Sequence, residues 1–226
     1  MVLVAGVDDA GRGSVIGPLV ISGVMIELQE MSNLISLGVK DSKRITPKKR
    51  QQLSKKIILN VQNHVYSNID PIEIDRVVFE GVRLKRLNYL EAKVMAEVIE
   101  YLKPDIVYVD ASDVIEERFA QQIKGFLTFN LKIVSKHKAD VKYPIVSAAS
   151  ILAKVRRDEV IACLHNTYGD FGSGYSHDVK TRRFIKDLIK KGPLPKFVRK
   201  SWKTIENLRN ELEKEGKTGK NNYDPC

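Results

Sequence analysis

Near its N-terminus the chain reads Val2-Leu-Val-Ala-Gly-Val-Asp8-Asp9-Ala-Gly-Arg-Gly13, and this stretch decides the fold. Its opening residues are small or apolar and rich in valine, a pattern that predicts a buried strand over residues 2–8. The strand ends in two adjacent carboxylates, which resist joint ionisation unless a cation lies beside them. Carboxylate oxygens are the ligands that hard divalent cations prefer. The stretch therefore indicates a metal site at the end of a strand.

The turn that follows, Gly11-Arg12-Gly13, indicates a phosphate ligand beside the metal. Glycine lets backbone amides approach an anion closely, and arginine adds a fixed positive charge. Two other interpretations stay open at this point, and the first is an ordinary turn, in which aspartate and glycine are common. The second is a glycine-rich dinucleotide-binding loop, which must open a helix. Because Pro18 and a second apolar strand over 18–28 follow here, the order strand-turn-strand argues against it.

The chain has 226 residues, enough for one large domain, and it is strongly basic, with a net charge of +10 and a pI near 9.5. A basic surface attracts polyanions such as nucleic acids. A simple nucleic-acid-binding module has no use for clustered carboxylates, since they repel phosphates. A metal-dependent phosphodiesterase needs both features, so the composition favours a nuclease.

The cellular compartment is predicted from absences in the sequence. No run of about 18 apolar residues indicates a membrane span, and no basic leader precedes the first apolar run. The cysteines Cys163 and Cys226 lack metal-ligand spacing, and Cys163 is expected in the core. Nothing requires disulfides, so the cytoplasm is expected.

Apolar periodicity predicts an α/β fold. Strands are predicted at 2–8, 18–28, 63–70, 106–110 and 131–135, and helices at 46–60, 71–80, 84–103, 113–124, 147–168, 178–190 and 201–214. The first three strands suit an antiparallel meander, and the later strand-helix-strand order implies a parallel portion. We expect a mixed five-stranded sheet flanked by helices, with a catalytic domain over 1–170, a C-terminal helical region over 171–214 and a disordered tail over 215–226.

Acidic residues recur at the ends of the predicted strands. Asp8 and Asp9 close the first strand, Asp110 closes the fourth, and Asp140 lies just beyond the fifth. If the first and fourth strands are neighbours, their carboxyl ends meet and Asp140 approaches from the side. Such a group could hold two divalent ions about 4 Å apart, which clamp the attacking water and the leaving oxygen of a phosphodiester. No histidine is then needed as a base.

On these motifs the sequence resembles the ribonuclease HII family, the type 2 ribonucleases H, and most of all its archaeal branch. The matching segments occur in family order and cover most of residues 1–190. They are residues 6–13, Asp41-Ser42-Lys43, Tyr108-Val-Asp110, residues 138–154 and Gly172-Ser-Gly-Tyr175. The match over 138–154 is the most specific of them.

The resemblance implies a ribonuclease H-like fold and hydrolysis of the RNA strand in RNA–DNA hybrids. It also implies incision on the 5′ side of a ribonucleotide embedded in duplex DNA, with magnesium or manganese, leaving a 3′-hydroxyl and a 5′-phosphate. The family's catalytic and metal-binding acids correspond to Asp8, Asp9, Asp110 and Asp140. The family's contacts to the ribose 2′-hydroxyl correspond to Gly11, Arg12 and Gly13. Its phosphate contact corresponds to Lys43, and the tyrosine that stacks on a sugar ring corresponds to Tyr175.

The sequence departs from the family at position 9, where Asp9 replaces the usual glutamate and is shorter by one bond, about 1.5 Å. A misplacement of about that size can lower a rate by about 100-fold. This keeps open the alternative of a protein that binds hybrids with little turnover. A further alternative, a two-metal nuclease that cuts DNA alone, is argued against by the ribose-reading turn. We expect a monomer, and the tail shows no clear motif for a sliding clamp, a partner that the family allows.

Overall fold

A computed structural model describes residues 1–39, 45–80 and 87–218 of the chain. The strands are β1 (Leu3–Ala10), β2 (Leu19–Glu27), β3 (Asn63–Ile69), β4 (Ile106–Asp110) and β5 (Lys132–Lys136). They form one five-stranded sheet in the order β3-β2-β1-β4-β5. β1 pairs antiparallel with β2 and parallel with β4, β3 pairs antiparallel with β2, and β5 pairs parallel with β4. The predicted mixed sheet is confirmed.

Helices flank this sheet. Within the described residues they are α1 (Met31–Ser36), α2 (Pro47–Asn60), α3 (Pro71–Glu80), α4 (Leu87–Leu102), α5 (Glu116–Lys124), α6 (Ala139–Lys142), α7 (Pro144–Tyr168), α8 (Val179–Lys191) and α9 (Lys203–Thr218). α1 lies in a segment where no helix was predicted. α7 begins at Pro144 rather than at Ser147, since proline suits the first turn of a helix. Ser147 instead lies inside the helix and donates to the carbonyl of Val39 over 2.5 Å.

The side chains of β1 alternate between two hydrophobic cores. Val4 packs with residues of α7 on one face of the sheet, while Ala5 and Val7 pack with residues of α4 on the other. Gly6 lies where α7 crosses the strand, and a Cβ atom there would be 2.5 Å from the carbonyl carbon of Ile145. Glycine at this position therefore lets the helix lie directly on the strand. The same alternation decides where the acids at the end of β1 point.

The C-terminal helices form a third core against the segment that follows β1. Val15, for example, packs in one cluster with Ile185 of α8. α9 continues to Thr218, past the boundary predicted at 214, so residues 215–218 are helical where the sequence predicted disorder. The remainder of the expected tail, residues 219–226, lies outside the described part of the chain.

Cys163 corrects one expectation, because it is exposed rather than buried. It lies on α7 two positions after Ile161, which is 7% exposed. Two positions turn a helix by about 200°, so Cys163 points away from the core although its neighbours in the sequence are apolar. In the described residues, every helix is too short or too polar to cross a bilayer.

Candidate active site

The parallel pairing of β1 with β4 brings Asp8 and Asp110 together. Val7 lies opposite Val109 in the register, so the next residue of each strand is an aspartate. Neighbouring strands are about 4.8 Å apart, which places both carboxylates within reach of one ion. Asp8 is buried, with 5% of its surface exposed. Because β1 continues to Ala10, both Asp8 and Asp9 lie within the strand rather than after it.

Asp140 reaches the same place from a short helix. Lys138 adopts the left-handed backbone conformation, with φ of 54°, and turns the chain into α6. The amide of Ala139 then donates to Oδ1 of Asp110 over 3.2 Å. One carboxylate oxygen from each of Asp8, Asp110 and Asp140 lies within 4.8 Å of the others, and we call these three residues the acidic triad.

The triad concentrates negative charge in a buried place. Burial raises the pKa of Asp8 well above its ordinary value, and the charges of Asp9 and Asp110 raise it further. A hydrogen bond from Ser150 opposes this rise, and Lys154 donates in turn to Oγ of Ser150 over 2.7 Å. Both residues lie on α7. Neither residue was predicted as part of the site, although both fall within the longest matching segment.

Asp9 lies beside the triad rather than in it. Successive strand residues point to opposite faces, so Asp9 points toward α4 while Asp8 points toward α7. Burial raises the pKa of Asp9 to about 7, and the charge of Glu91 adds to the rise. The charge of Asp110 also raises it, while Arg12 opposes the change. The four acids selected from the sequence are therefore a close group of three with a fourth next to it.

Glu91 of α4 is a site residue that the sequence analysis missed. It is 0% exposed, and its Oε1 and Oε2 accept from Nε of Arg12 at 2.8 and 3.1 Å. Nη2 of Arg12 donates to Oδ1 of Asn88 over 2.5 Å. Burial raises the pKa of Glu91 to about 7, although Arg12 lowers it. A signal was available, because Glu91 shares the apolar stripe of its helix with Leu87 and Met95, where a charge must find a partner.

The two glycines of the Gly11-Arg12-Gly13 turn have different roles. Gly11 has φ of 89°, and a Cβ there would lie 2.7 Å from Cδ of Arg157, so both conformation and space require glycine. Gly13 is exposed, and among the described atoms none lies within 4 Å of an added Cβ. No described protein atom therefore fills the space beside Gly13, and this space is open to a ligand. The amide and hydroxyl of Ser14 close the turn by donating to the carbonyl of Gly11 at 3.1 and 2.8 Å.

Tyr175 lies next to this turn. It pairs with Ser14 in an isolated antiparallel bridge, and the amide of Val15 donates to the carbonyl of Gly174 over 2.8 Å. The structure therefore brings the expected sugar-stacking residue to the Gly11-Arg12-Gly13 turn, although more than a hundred and fifty residues separate them in the sequence. Lys43, the expected phosphate contact, lies outside the described residues.

The loop that carries Tyr175 is anchored by the N-cap of α8. Asp178 accepts from the amide and the hydroxyl of Ser173, each at 2.7 Å, and from the amide of Lys180 at 2.9 Å. These bonds lower the pKa of Asp178 to about 2. His177 stacks on Tyr175 with the ring centroids 5.7 Å apart. The Tyr175 ring therefore has a packing partner within its own loop.

Comparisons with known proteins agree with this geometry. Residues 5–205 match the family model for Ribonuclease HII. Ribonuclease HII of Methanosarcina acetivorans is 46% identical over 225 residues, which cover 95% of this chain and 99% of that protein. The crystal structure of the ribonuclease H2 from Pyrococcus horikoshii has a TM-score of 0.85 at 41% identity, covering 94% and 99% of the two chains. The structure of the PCNA:RNase HII complex from Archaeoglobus fulgidus gives 0.82 at 41% identity, covering 91% and 96%. The ribonuclease H-like fold is confirmed, and the chain belongs to the ribonuclease HII family.

Proposed function

We propose that the protein is a metal-dependent endoribonuclease that hydrolyses the RNA strand of RNA–DNA hybrids. It also incises duplex DNA on the 5′ side of an embedded ribonucleotide, leaving a 3′-hydroxyl and a 5′-phosphate. The observation that carries this proposal is the position of the acidic triad beside a glycine-arginine-glycine turn and Tyr175. The triad offers metal ligands, and the other two elements offer contacts to a sugar-phosphate backbone. The net charge of +10 suits a polyanionic substrate.

The donor set of the triad fits a hard divalent cation. All three ligands are carboxylates, and two of the residues, Asp8 and Asp140, are buried. Burial, and then the charges of Asp9 and Asp110, raise the pKa of Asp8, and a bound cation would oppose all of these effects. Magnesium and manganese both accept oxygen ligands of this kind, and we assign either as the cofactor. When bound, such ions polarise the phosphodiester and activate water, with Asp9 as the fourth metal-binding acid.

Ribose recognition is assigned to Gly11, Arg12 and Gly13. The 2′-hydroxyl both donates and accepts, so backbone groups of a fixed turn can distinguish ribose from deoxyribose. Glu91 fixes the turn from inside the protein by holding the side chain of Arg12. The open space beside Gly13 supports a close approach of the sugar.

The remaining contacts are assigned to two residues. Tyr175 pairs with Ser14 at the turn, and its ring is assigned to stack on the sugar next to the scissile phosphate. Lys43 is assigned to a phosphate on the strength of the family motif alone. Together with the turn, these residues would place the phosphodiester over the triad.

Residues of α7 hold the triad in shape before the substrate arrives. Ser150 donates to Asp8, and Lys154 donates to Ser150, so the orientation of the Asp8 carboxylate is fixed by a chain of hydrogen bonds. The same chain places a positive charge near Asp9, whose pKa it lowers. A preorganised arrangement of this kind avoids reorganisation during the reaction.

The direct test uses a DNA duplex that contains one ribonucleotide and carries a 5′ label. In magnesium or manganese, the protein should make a single cut on the 5′ side of the ribonucleotide, and a DNA polymerase should extend the resulting 3′-hydroxyl. The same duplex without the ribonucleotide should stay intact, and Asp110→Asn should abolish cleavage. If the wild-type protein leaves the labelled strand whole in both metals, the proposal is wrong.

Asp9 supports a second candidate function, a hybrid-binding protein with little turnover. Its carboxylate lies outside the triad, where the family's longer glutamate would reach further. This candidate requires salt-sensitive binding of the same duplex, measured by fluorescence anisotropy, without a cleaved product.

We further propose a monomer that acts in the cytoplasm, with a catalytic domain over 1–170 and a C-terminal helical region over 171–214 packed on it. A sliding clamp is a candidate partner, supported by the complex in which the similar Archaeoglobus fulgidus protein was solved with PCNA. Gel filtration of the protein alone and with the sliding clamp of its own organism tests both statements. Elution of the single protein as a dimer, or of the two proteins apart, would contradict them.

A further inference from the structure

Arg157 of α7 is a buried cation that the proposed chemistry does not use. It is 4% exposed, and its Nε has no hydrogen-bond partner among the described residues. Burying a guanidinium is costly unless it is well paired, so its position calls for an explanation other than packing. The preceding residue, Arg156, is exposed and pairs with Glu159 over 3.4 Å, which is the ordinary situation for an arginine on this helix.

The guanidinium of Arg157 makes two contacts with the loop that carries Tyr175. Its Cζ lies 4.5 Å from the centroid of the Tyr175 ring, and its Nη2 donates to the carbonyl of Ser173 over 3.0 Å. The cation–π contact orients the ring, and the hydrogen bond holds the main chain just before it. Gly174 lies between these two contacts with φ of 78°, and a Cβ there would be 3.3 Å from Nη2. The arginine therefore fixes both the ring and the backbone that carries it.

The same side chain supports the ribose-reading turn. A Cβ at Gly11 would lie 2.7 Å from Cδ and Nε of Arg157, so the turn rests on the stem of the arginine. A second buried arginine, Arg199, also holds the turn. Its Nη1 donates to the carbonyl of Arg12 over 2.9 Å, and its Nε donates to the carbonyl of Gly17 over 3.0 Å. Arg157 therefore contacts both the Gly11-Arg12-Gly13 turn and the loop that carries Tyr175.

We infer that Arg157 is a positioning residue that sets the spacing between the ribose-reading turn and the ring of Tyr175. The inference deepens the proposed function and rests on it. One planar, preorganised side chain contacts both elements, so its length and shape decide where the ring stands relative to the sugar. Lysine keeps the charge but lacks the planar fork, and methionine lacks both.

A double-mutant cycle tests the inference. Arg157→Met should lower the single-turnover cleavage rate of the one-ribonucleotide duplex by about 10-fold to 100-fold, and Arg157→Lys should lower it less. In a Tyr175→Ala background the same Arg157→Met change should lower the rate by less than about twofold, because its effect passes through the ring. Arg156→Met, a neighbour on the same helix, should leave the rate unchanged in either background. Equal losses with and without the ring would overturn the inference.

A second measurement does not depend on catalysis. In the metal-free protein, the amides of residues 172–176 should exchange hydrogen about 10-fold faster in Arg157→Met than in the wild type, with Arg157→Lys in between. If Arg157→Met does not fold, Arg157→Lys carries the test. Faster exchange supports the positioning role even if the wild-type protein cuts nothing, an outcome that would remove the proposed function alone. Unchanged exchange in the folded variants would overturn the inference.

Discussion

Nε of Arg12 lies 2.8 Å from Oε1 of Glu91, so the Gly11-Arg12-Gly13 turn is bonded to a helix inside the protein. The same glutamate raises the pKa of Asp9 through its charge. Glu91 therefore acts on two parts of the site at once, the turn that would read the sugar and the acid beside the triad.

Without divalent metal, the free energy of unfolding is expected to fall as the pH rises from about 4 to about 7. The pKa values of Asp9 and Glu91 in the folded protein are about 7, above their ordinary 3.8 and 4.5. The folded state thus keeps protons that the unfolded chain has released. This stabilisation is fully present below about pH 4 and is lost as the pH passes about 7. Melting temperatures measured in a chelator should show the decline.

Glu91→Gln should flatten this pH dependence, because it removes one titrating group and the repulsion on the other. Glu97→Gln is the matched control, since Glu97 lies on the same helix with 57% of its side chain exposed. The control should keep the wild-type slope. A Glu91→Gln protein with an unchanged slope would show that these buried acids do not govern the pH response.

Asp8→Asn is expected to stabilise the metal-free protein and to abolish cleavage. It replaces a carboxylate whose ionised form is disfavoured by burial and by the charges of Asp9 and Asp110. Magnesium at 100-fold its Kd should stabilise the wild type by about 2.7 kcal/mol and should leave the variant unaffected. Cleavage should fall by more than about 100-fold, since changes to the residues behind metal ligands alone cost about 10-fold to 100-fold. Thermal melts with and without magnesium, together with the cleavage assay, measure both effects.

The control for Asp8→Asn is Asp187→Asn, which changes an exposed aspartate of α8. It should melt and respond to magnesium as the wild type does. If magnesium still stabilises Asp8→Asn fully, the triad is not where the metal binds.

Gly11→Ala is expected to lower stability, whereas Gly13→Ala is expected to weaken substrate binding without affecting stability. Gly11→Ala places a Cβ against Arg157 at positive φ and should lower the free energy of unfolding by about 1–3 kcal/mol. Gly13→Ala meets no described atom within 4 Å and should change it by less than about 0.5 kcal/mol. It should nevertheless raise the KM for the one-ribonucleotide duplex, because its methyl group occupies the space left for the sugar. Normal KM in a folded Gly13→Ala protein would argue against ribose binding at the turn.

Asp9→Glu is expected to raise the cleavage rate. The longer side chain extends by about 1.5 Å, and errors of this size cost up to about 100-fold in rate. Single-turnover rates of the wild type and the variant, each in magnesium and in manganese, measure the effect. A variant with the wild-type rate in both metals would mean that the backbone already compensates for the shorter acid.

The strands of the sheet, and the acids at their ends, could be predicted from the sequence because their determinants are local. β4 was predicted at the residues where it occurs, since its apolar run is bounded by Pro104 and ends in Asp110. The parallel neighbourhood of β1 and β4 then brings their acids together. The place of Asp9 depends on pleating within a strand that continues to Ala10, whereas the strand was predicted to end at residue 8.

The contacts that hold the site were harder to predict, because they join distant parts of the chain. Glu91 and Arg12 belong to segments whose proximity depends on how α4 packs on the sheet. Arg157 looks like its neighbour Arg156 in the sequence, and only the direction of its side chain on α7 distinguishes them. Local patterns reveal which side chains are chemically able to act, whereas tertiary packing decides which of them meet.

The bond from Arg199 to the carbonyl of Arg12 joins an early part of the polypeptide to a late one. During translation the acids of β1 leave the ribosome first, and the N-terminal part begins to fold while synthesis continues. The Gly11-Arg12-Gly13 turn receives its support from Arg199 only after α8 has been made. A nascent chain therefore carries the acids of β1 long before the turn beside them is held in place.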